Sequence, residues 1–262
     1  MSASPYESMP KLVIENARKS FRQTNGGEFS AIADLSFSVQ SGEYVAIVGP
    51  TGAGKSVLLD CLLGLKNLDS GQIRIDGQRV ENFVRKKKGH IARIFQEDRL
   101  LPWLSATDNA ALALRIQGVE QQKRRDIAAK WLDAVGLSQF KNALPSELSG
   151  GMRQRVNIAR AFAANPELVL LDEAFSALDD VTASRLRQDF KTLAHEQSTT
   201  FLIVTHSIDE AIFLANRILV FGAPARLMAE IPVPTDAHKD RFISDRIKEE
   251  VRSFITAGAR TN

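Results

Sequence analysis

Gly49-Pro50-Thr51-Gly52-Ala53-Gly54-Lys55-Ser56 is the stretch whose reading decides the fold. The apolar, β-branched run Tyr44-Val45-Ala46-Ile47-Val48 leads into it, and Val57-Leu58-Leu59-Asp60-Cys61-Leu62-Leu63 leads out. The order is strand, glycine loop, helix. The spacing Gly-x-x-x-x-Gly-Lys-Ser fits a phosphate-binding loop. Glycines let the backbone curl with its N–H groups inward, so a polyphosphate meets a nest of donors at the positive end of a helix. Lys55 would supply a point charge to the β- and γ-phosphates, and Ser56 a hydroxyl to Mg²⁺. A plain turn between strand and helix explains the glycines, but not the lysine and hydroxyl in register with both flanks. The stretch reads as nucleotide-binding.

The 262 residues suffice for one large domain or a domain with a subdomain. With 44% hydrophobic and 25% charged residues the composition is that of an ordinary globular protein. No apolar run approaches the roughly 20 residues that span a bilayer. The start, Met1-Ser2-Ala3-Ser4-Pro5-Tyr6-Glu7-Ser8, lacks the basic region and apolar core of a signal peptide. The single cysteine, Cys61, has no internal disulfide partner and is expected as a small apolar filler on the buried face of the loop's helix. These features point to the cytoplasm. The net charge is a mild +3, with basic clusters at Arg85-Lys86-Lys87-Lys88 and Lys123-Arg124-Arg125. Neither is interleaved with the aromatics that stack on single strands, and a solvated face is the preferred reading over a nucleic-acid or membrane contact.

Outward from the glycine loop, Lys11–Ile14 reads as a short strand and Leu35–Gln40 as a half-buried one, with a turn signal at Thr24-Asn25-Gly26-Gly27 between them. Asp69-Ser70-Gly71 reads as a turn, then Gln72–Ile75 as a strand closed by Asp76-Gly77. A helix is expected after Ser105 or Thr107 as cap, with Ala110, Leu112, Leu114 and Ile116 apolar and Gly118 as its end. A second helix spans about 121–135, and a third starts after Ser149 with Met152, Val156, Ala159 and Ala163 on one face. Leu168–Leu171 and Thr200–Val204 are continuous apolar runs, as parallel strands buried on both faces require. Helices near 180–196 and 207–214 alternate with them. From Ala223 the pattern weakens, with Pro224, Pro232 and Pro234 breaking it, before a last helix at about 239–254.

Two further constellations narrow the chemistry. Asp172 and Glu173 end the run Leu168–Leu171, and ligands collect at the carboxyl ends of parallel strands. Asp172 would hold Mg²⁺ through its shell and Glu173 would polarise an attacking water, unless the strand simply exits into an acidic turn. In Leu148-Ser149-Gly150-Gly151-Met152-Arg153-Gln154, Ser149 can cap a helix whose glycines expose N–H groups at its positive end. That is a second anion-binding terminus, or a mere cap.

Together these residues resemble the ATP-binding cassette (ABC) ATPases. Gly49–Ser56 is similar to their Walker A motif, Leu148–Gln154 to the signature motif, and Leu168–Glu173 to Walker B. Ser176-Ala177-Leu178-Asp179 matches the D-loop, Gln96 the Q-loop glutamine and His206 the switch histidine. The resemblance runs over about residues 11–222, with 223–262 as a C-terminal extension. It implies an α/β P-loop NTPase (RecA-like) core, an antiparallel β subdomain and an inserted α-helical subdomain near 100–164. It also implies a head-to-tail dimer holding two ATP, each between the glycine loop of one copy and the signature helix of the other. The implied ATP-binding set is Gly49, Pro50, Thr51, Gly52, Ala53, Gly54, Lys55, Ser56, Val57, Ser149, Gly150, Gly151 and Asp179, with Ser149 and Gly151 contacting the γ-phosphate in the partner subunit. Catalysis would fall to Glu173, His206, Gln96 and Lys55, and Mg²⁺ to Ser56, Gln96 and Asp172. Phe21 stands where the family stacks an aromatic on adenine, core packing being the alternative.

The segment Phe95-Gln96-Glu97-Asp98-Arg99-Leu100-Leu101-Pro102-Trp103-Leu104 is similar to that of importer ATPases for nitrate, sulfonates and taurine, where Leu-Leu-Pro-Trp follows the Q-loop. A tryptophan behind a proline in an exposed loop suits a rigid docking surface; a core tryptophan is the alternative. The resemblance therefore implies the ATPase subunit of a bacterial importer, peripheral on the cytoplasmic face of the inner membrane. Its partners would be integral membrane permease subunits, indirectly a periplasmic or surface solute-binding protein, and a second identical or paralogous ATPase. No nucleic acid is expected. The alternative is a soluble ABC ATPase acting on ribosomes or DNA, although no second cassette or long coiled coil is visible. A kinase or GTPase would leave the signature motif unexplained.

Overall fold

The computed structural model describes residues 9–22, 26–86, 90–195, 197 and 199–259. In chain order they form β1 (Leu12–Arg22), β2 (Glu28–Val39), β3 (Tyr44–Val48), α1 (Lys55–Leu62), β4 (Ser70–Ile75), β5 (Gln78–Arg79) and α2 (Val80–Lys86). Then come β6 (Ile91–Phe95), α3 (Ala106–Ala110), α4 (Leu112–Ile116), α5 (Gln121–Ala134), α6 (Gly150–Ala163), β7 (Leu168–Asp172) and α7 (Asp180–His195). The last elements are β8 (Thr200–Val204), α8 (Ile208–Leu214), β9 (Arg217–Phe221), β10 (Leu227–Pro232) and α9 (Arg241–Ala259). The chain divides into two units, one from residues 1–86 with 200–262, the other from residues 87–199.

The first unit carries an antiparallel sheet in the order β2-β1-β4-β5. The strand expected over 11–14 runs on to Arg22, paired with β2 from Leu12↔Val39 to Arg22↔Glu28. Its continuation escapes an alternation test because Asn16 sits at φ 48 and the register shifts between Ile14 and Ala17, which breaks the period of two. The turn expected at Asp69–Gly71 is corrected as well. Ser70 and Gly71 already belong to β4, and Gly71 takes φ +81 against that same irregularity, where a Cβ would stand 2.3 Å from the Asn16 carbonyl oxygen. Of the Thr24–Gly27 turn signal, Thr24 and Asn25 lie outside the described residues, as do Lys87, Lys88 and residues 1–8.

The unit's other strands lie in the order β10-β9-β3-β8, with β3 parallel to both β9 and β8. Every residue of β3 and of β8 is buried, as their unbroken apolar runs require. Cys61 is buried in α1, and burial pushes its thiol up to about 11. Strand β10 lies in the stretch whose prolines argued against regular structure. Pro232 ends it opposite Arg217, on an edge where a missing N–H costs no ladder bond. Helix α9 packs on α8, β9 and β10, burying Ile247 and Val251, with Lys248 ion-paired to Asp209 at 2.6 Å. Among the described residues no helix is long and apolar enough to cross a membrane.

The second unit pairs β6 with β7 in parallel, from Ile91↔Leu168 to Phe95↔Asp172, and packs α3, α5 and α6 together. Trp131 stacks on Phe162, which meets Phe190, which meets Phe175 edge-on, so aromatic rings fill the space between α5, α6 and α7. Lys123, Arg124 and Arg125 lie along α5, and Arg125 pairs with Asp108 at 3.1 Å.

The single helix expected after residue 105 is two short ones, broken at Ala111. Ser105 is the cap, accepting from the Asp108 N–H at 3.1 Å. Thr107 is buried instead and donates its hydroxyl to the Lys141 carbonyl at 2.9 Å, a tertiary bond that removes it from capping. Past the break Ile116, expected on the apolar face, is exposed.

Fully buried Asn109 holds the loop that precedes these helices. Its amide donates to the carbonyls of Leu101 (3.1 Å), Leu104 (2.9 Å) and Ser105 (3.2 Å), and its Oδ1 accepts from the Leu101 N–H at 2.8 Å. The loop so pinned leaves Trp103 71% exposed, which excludes the core role. Asn109→Leu strands these buried backbone groups and should cost about 2–3 kcal/mol in urea unfolding.

Candidate functional site

In the first unit β3 stops at Val48 and the chain turns through the glycine loop into α1. Gly54, the residue before the helix, has φ +78, and a Cβ there would stand 2.1 Å from the Ala31 carbonyl oxygen. Only glycine lets α1 start this close to β2. Lys55 is buried, and its Nζ donates to the carbonyls of Gly49 (2.7 Å) and Pro50 (2.9 Å), so the ammonium is curled into the loop. Thr51, Gly52 and Ser56 are exposed, Ala53 is buried, and Val57 is half-buried. The start of α1, with the partial positive charge of a helix N-terminus, follows the loop directly.

β8 runs parallel beside β3, in register from Tyr44↔Phe201 to Ile47↔Val204, and the Thr205 N–H donates to the Ile47 carbonyl at 3.2 Å. His206 follows at once and is exposed, so it leaves the sheet at the edge from which the glycine loop emerges. Phe21 lies within β1 opposite Phe29, half-buried, with the Lys19 ammonium 5.3 Å from its ring centroid.

The second unit repeats the device. β6 ends at Phe95 and β7 at Asp172, the two opposite each other in the parallel ladder, so Gln96 and Glu173 leave side by side. Glu173 stands at φ 50, an uncommon backbone conformation for a residue with a side chain. Asp172 is ion-paired with Arg93 on the neighbouring strand. Ser149 caps α6, its Oγ accepting from the Met152 N–H at 3.3 Å, and Ser149 and Gly150 are exposed. At Gly151 a Cβ would stand 2.8 Å from Thr182 Cγ2, so the start of α6 abuts the start of α7. Asp179 accepts from the Thr182 N–H at 3.0 Å and thereby caps α7.

Sequence reasoning missed the polar residues of α6 that hold this assembly. Gln154 is 3% exposed, and its amide donates to the carbonyls of Phe95 (3.0 Å) and Ala174 (2.6 Å), bracketing the residues before Gln96 and after Glu173. Arg153 pairs with Asp98 at 2.8 Å, and Arg160 donates to the carbonyls of Asp98 (2.8 Å) and Arg99 (2.9 Å). The available signal was Gln154 and Asn157 sharing a helical stripe with Ile158 and Ala161, since polar side chains on an apolar face need partners.

Among the described residues no three His, Cys, Asp or Glu side chains gather as a metal cage. Ser56 in the first unit, and Gln96 and Asp172 in the second, each carry the kind of oxygen donor that a hard cation such as Mg²⁺ takes alongside waters and substrate phosphates. Glycine loop, lysine and helix start, with a strand-end Asp-Glu pair, define a P-loop NTPase. A family model described as ABC transporter matches residues 32–176. The taurine import ATP-binding protein TauB of Pseudomonas aeruginosa is 40% identical over 86% of this chain and 84% of its own length. An aliphatic sulfonates import ATP-binding protein of Bacillus cereus is 38% identical (88% and 91%), and a nitrate import ATP-binding protein of Synechocystis 37% (87% and 85%). A solved dimeric post-hydrolysis structure of the ATP-binding cassette MJ0796, bound to ADP and Pi, superimposes with a TM-score of 0.76 at 30% identity, covering 86% of this chain and 99% of that one. The chain belongs to the ABC transporter family, and as a member it is an ATPase coupled to transport.

Hydrogen bonds from Thr182 hold the Asp179 carboxyl below its usual range. Its cap is therefore complete above the unfolded value of about 3.9 and lost as pH falls through the lower folded value. The melting temperature of Asp179→Ala should fall below that of the unmodified chain at pH 7, and the gap should close as melts are taken below about pH 4.

Proposed function

We propose that this chain is the ATP-hydrolysing subunit of a bacterial importer for nitrate, a sulfonate, taurine or a similar small solute. The observation that carries the reading is the delivery of the candidate residues in pairs from adjacent parallel strands: the glycine loop with His206, and Gln96 with Glu173. Lys55 and the loop N–H groups bind the ATP phosphates. Glu173 takes the proton of the attacking water, His206 steadies the γ-phosphate, and Phe21 stacks on adenine. Ser56, Gln96 and Asp172 would hold Mg²⁺, whose chemistry there is to neutralise charge on the phosphate oxygens.

Two copies, or one copy with a paralogous ATPase, close head to tail around two ATP, Ser149, Gly150, Gly151 and Asp179 reaching the partner's nucleotide. The dimeric state of the solved cassette supports this arrangement. Residues 1–222 form the cassette and 223–262 a C-terminal extension, whose helix α9 packs on α8 and β9. The permease docks on the Leu100–Trp103 loop and on the adjoining groove of about 280 Å³, lined by Phe95, Arg99, Leu112 and Ile116. This places the chain on the cytoplasmic face of the inner membrane, with the solute-binding protein reached only through the permease.

Glu173→Gln should cut hydrolysis at least about 100-fold, the scale of a lost general base. It should also accumulate an ATP-bound dimer in size exclusion with light scattering. Near-normal turnover would remove Glu173 from that role. Tagged and drawn from gently solubilised membranes, the chain should bring down a multi-span permease in comparable amount. Ribosomal or DNA-bound proteins in its place would overturn the importer reading and leave the ATPase standing.

A further inference from the structure

We propose that Arg93 is a positioning residue for Asp172 that competes with the metal for its carboxylate; the inference rests on the reading of Asp172 as a Mg²⁺ ligand. Arg93 lies on β6 opposite Leu170, two residues before Phe95, which itself lies opposite Asp172. Arg93 and Phe95 therefore share one face of the strand, and the guanidinium reaches diagonally across the ladder to the carboxylate. Arg93 Nη2 stands 2.5 Å from Asp172 Oδ2, and the two side chains are only 10% and 16% exposed.

The guanidinium is held on its other side too. Its Cζ lies 4.6 Å from the centroid of the Phe95 ring, which Arg99 approaches at 4.1 Å. An arginine at the surface would swing aside for a dication at little cost. This one is packed on an aromatic ring, and with little solvent near it its charge is weakly screened. A metal-bound water needs a lone pair of Asp172. The guanidinium occupies one on Oδ2, and its positive charge opposes the approach of a dication to the same group. Arg93 thus fixes the position of Asp172 and matches its charge whenever the metal is elsewhere, at the expense of metal affinity.

The test uses Mn²⁺ in place of Mg²⁺, titrated into the full chain carrying a stoichiometric non-hydrolysable ATP analogue, with free Mn²⁺ read by electron paramagnetic resonance. Arg93→Met should lower the half-saturating Mn²⁺ concentration at least fivefold. Arg93→Gln, which keeps an N–H for Asp172 while removing the charge, should act in the same direction and carries the test if the methionine variant does not fold. Arg93→Lys, which keeps the charge, should stay within twofold of the unmodified chain. In an Asp172→Asn background, replacing Arg93 should change nothing further. If the neutral variants bind Mn²⁺ as the unmodified chain does while Asp172→Asn binds it more weakly, the competition is refuted and the ligand reading survives. If Asp172→Asn leaves Mn²⁺ binding unaltered, the ligand reading fails and the inference with it.

Discussion

In a parallel pair of strands the two carboxyl ends lie side by side, so whatever follows each strand is delivered to one edge. Both units of this chain use that geometry. β3 and β8 bring the glycine loop beside His206, and β6 and β7 bring Gln96 beside Glu173. β3, β7 and β8 are buried and apolar along almost their whole length, and that burial supplies the free energy that holds polar loops in place at their ends. Glu173 at φ 50 and the turn at Gly54 are paid for in this way.

Burial alone leaves the loops loosely aimed, and buried hydrogen bonds do the aiming. Helix α6 is the organiser of the second unit. Its Gln154 ties the chain on either side of the strand ends, while Arg153 and Arg160 hold Asp98 and Arg99 just beyond Gln96. The same helix begins at Ser149 and abuts α7 at Thr182, which Asp179 caps. The chain around Gln96, Glu173, Ser149 and Asp179 is thus connected, within the second unit, through one amphipathic helix. In a low-dielectric interior each such bond is costly to leave unmade, which makes the arrangement specific as well as stable.

Much of this was legible in the one-dimensional pattern. The glycine loop, the strand-end carboxylates and the capped Ser149 helix depend on residues close in the chain, where spacing alone determines which groups share a turn or a strand end. The run of motifs identified the family, and the fold follows. The errors have a common origin. β1 runs on past a bulge that breaks its alternation, Thr107, the alternative to Ser105 as cap, gives its hydroxyl to Lys141, and β10 is hidden by prolines tolerated on an edge. Each turns on a partner distant in sequence.

The sequence by itself therefore determined which groups are on offer: a glycine loop with its lysine and serine, a strand-end Asp-Glu pair and a serine-capped helix start at Ser149. Tertiary structure alone decided how those groups are held. Asn109 and Gln154 are ordinary polar residues until burial surrounds them with backbone carbonyls, and Arg93 is an ordinary cation until the β6–β7 register sets it against Asp172. The reason is that local spacing fixes the covalent neighbours of a side chain, whereas its electrostatic neighbours come from elements that meet only when the chain folds.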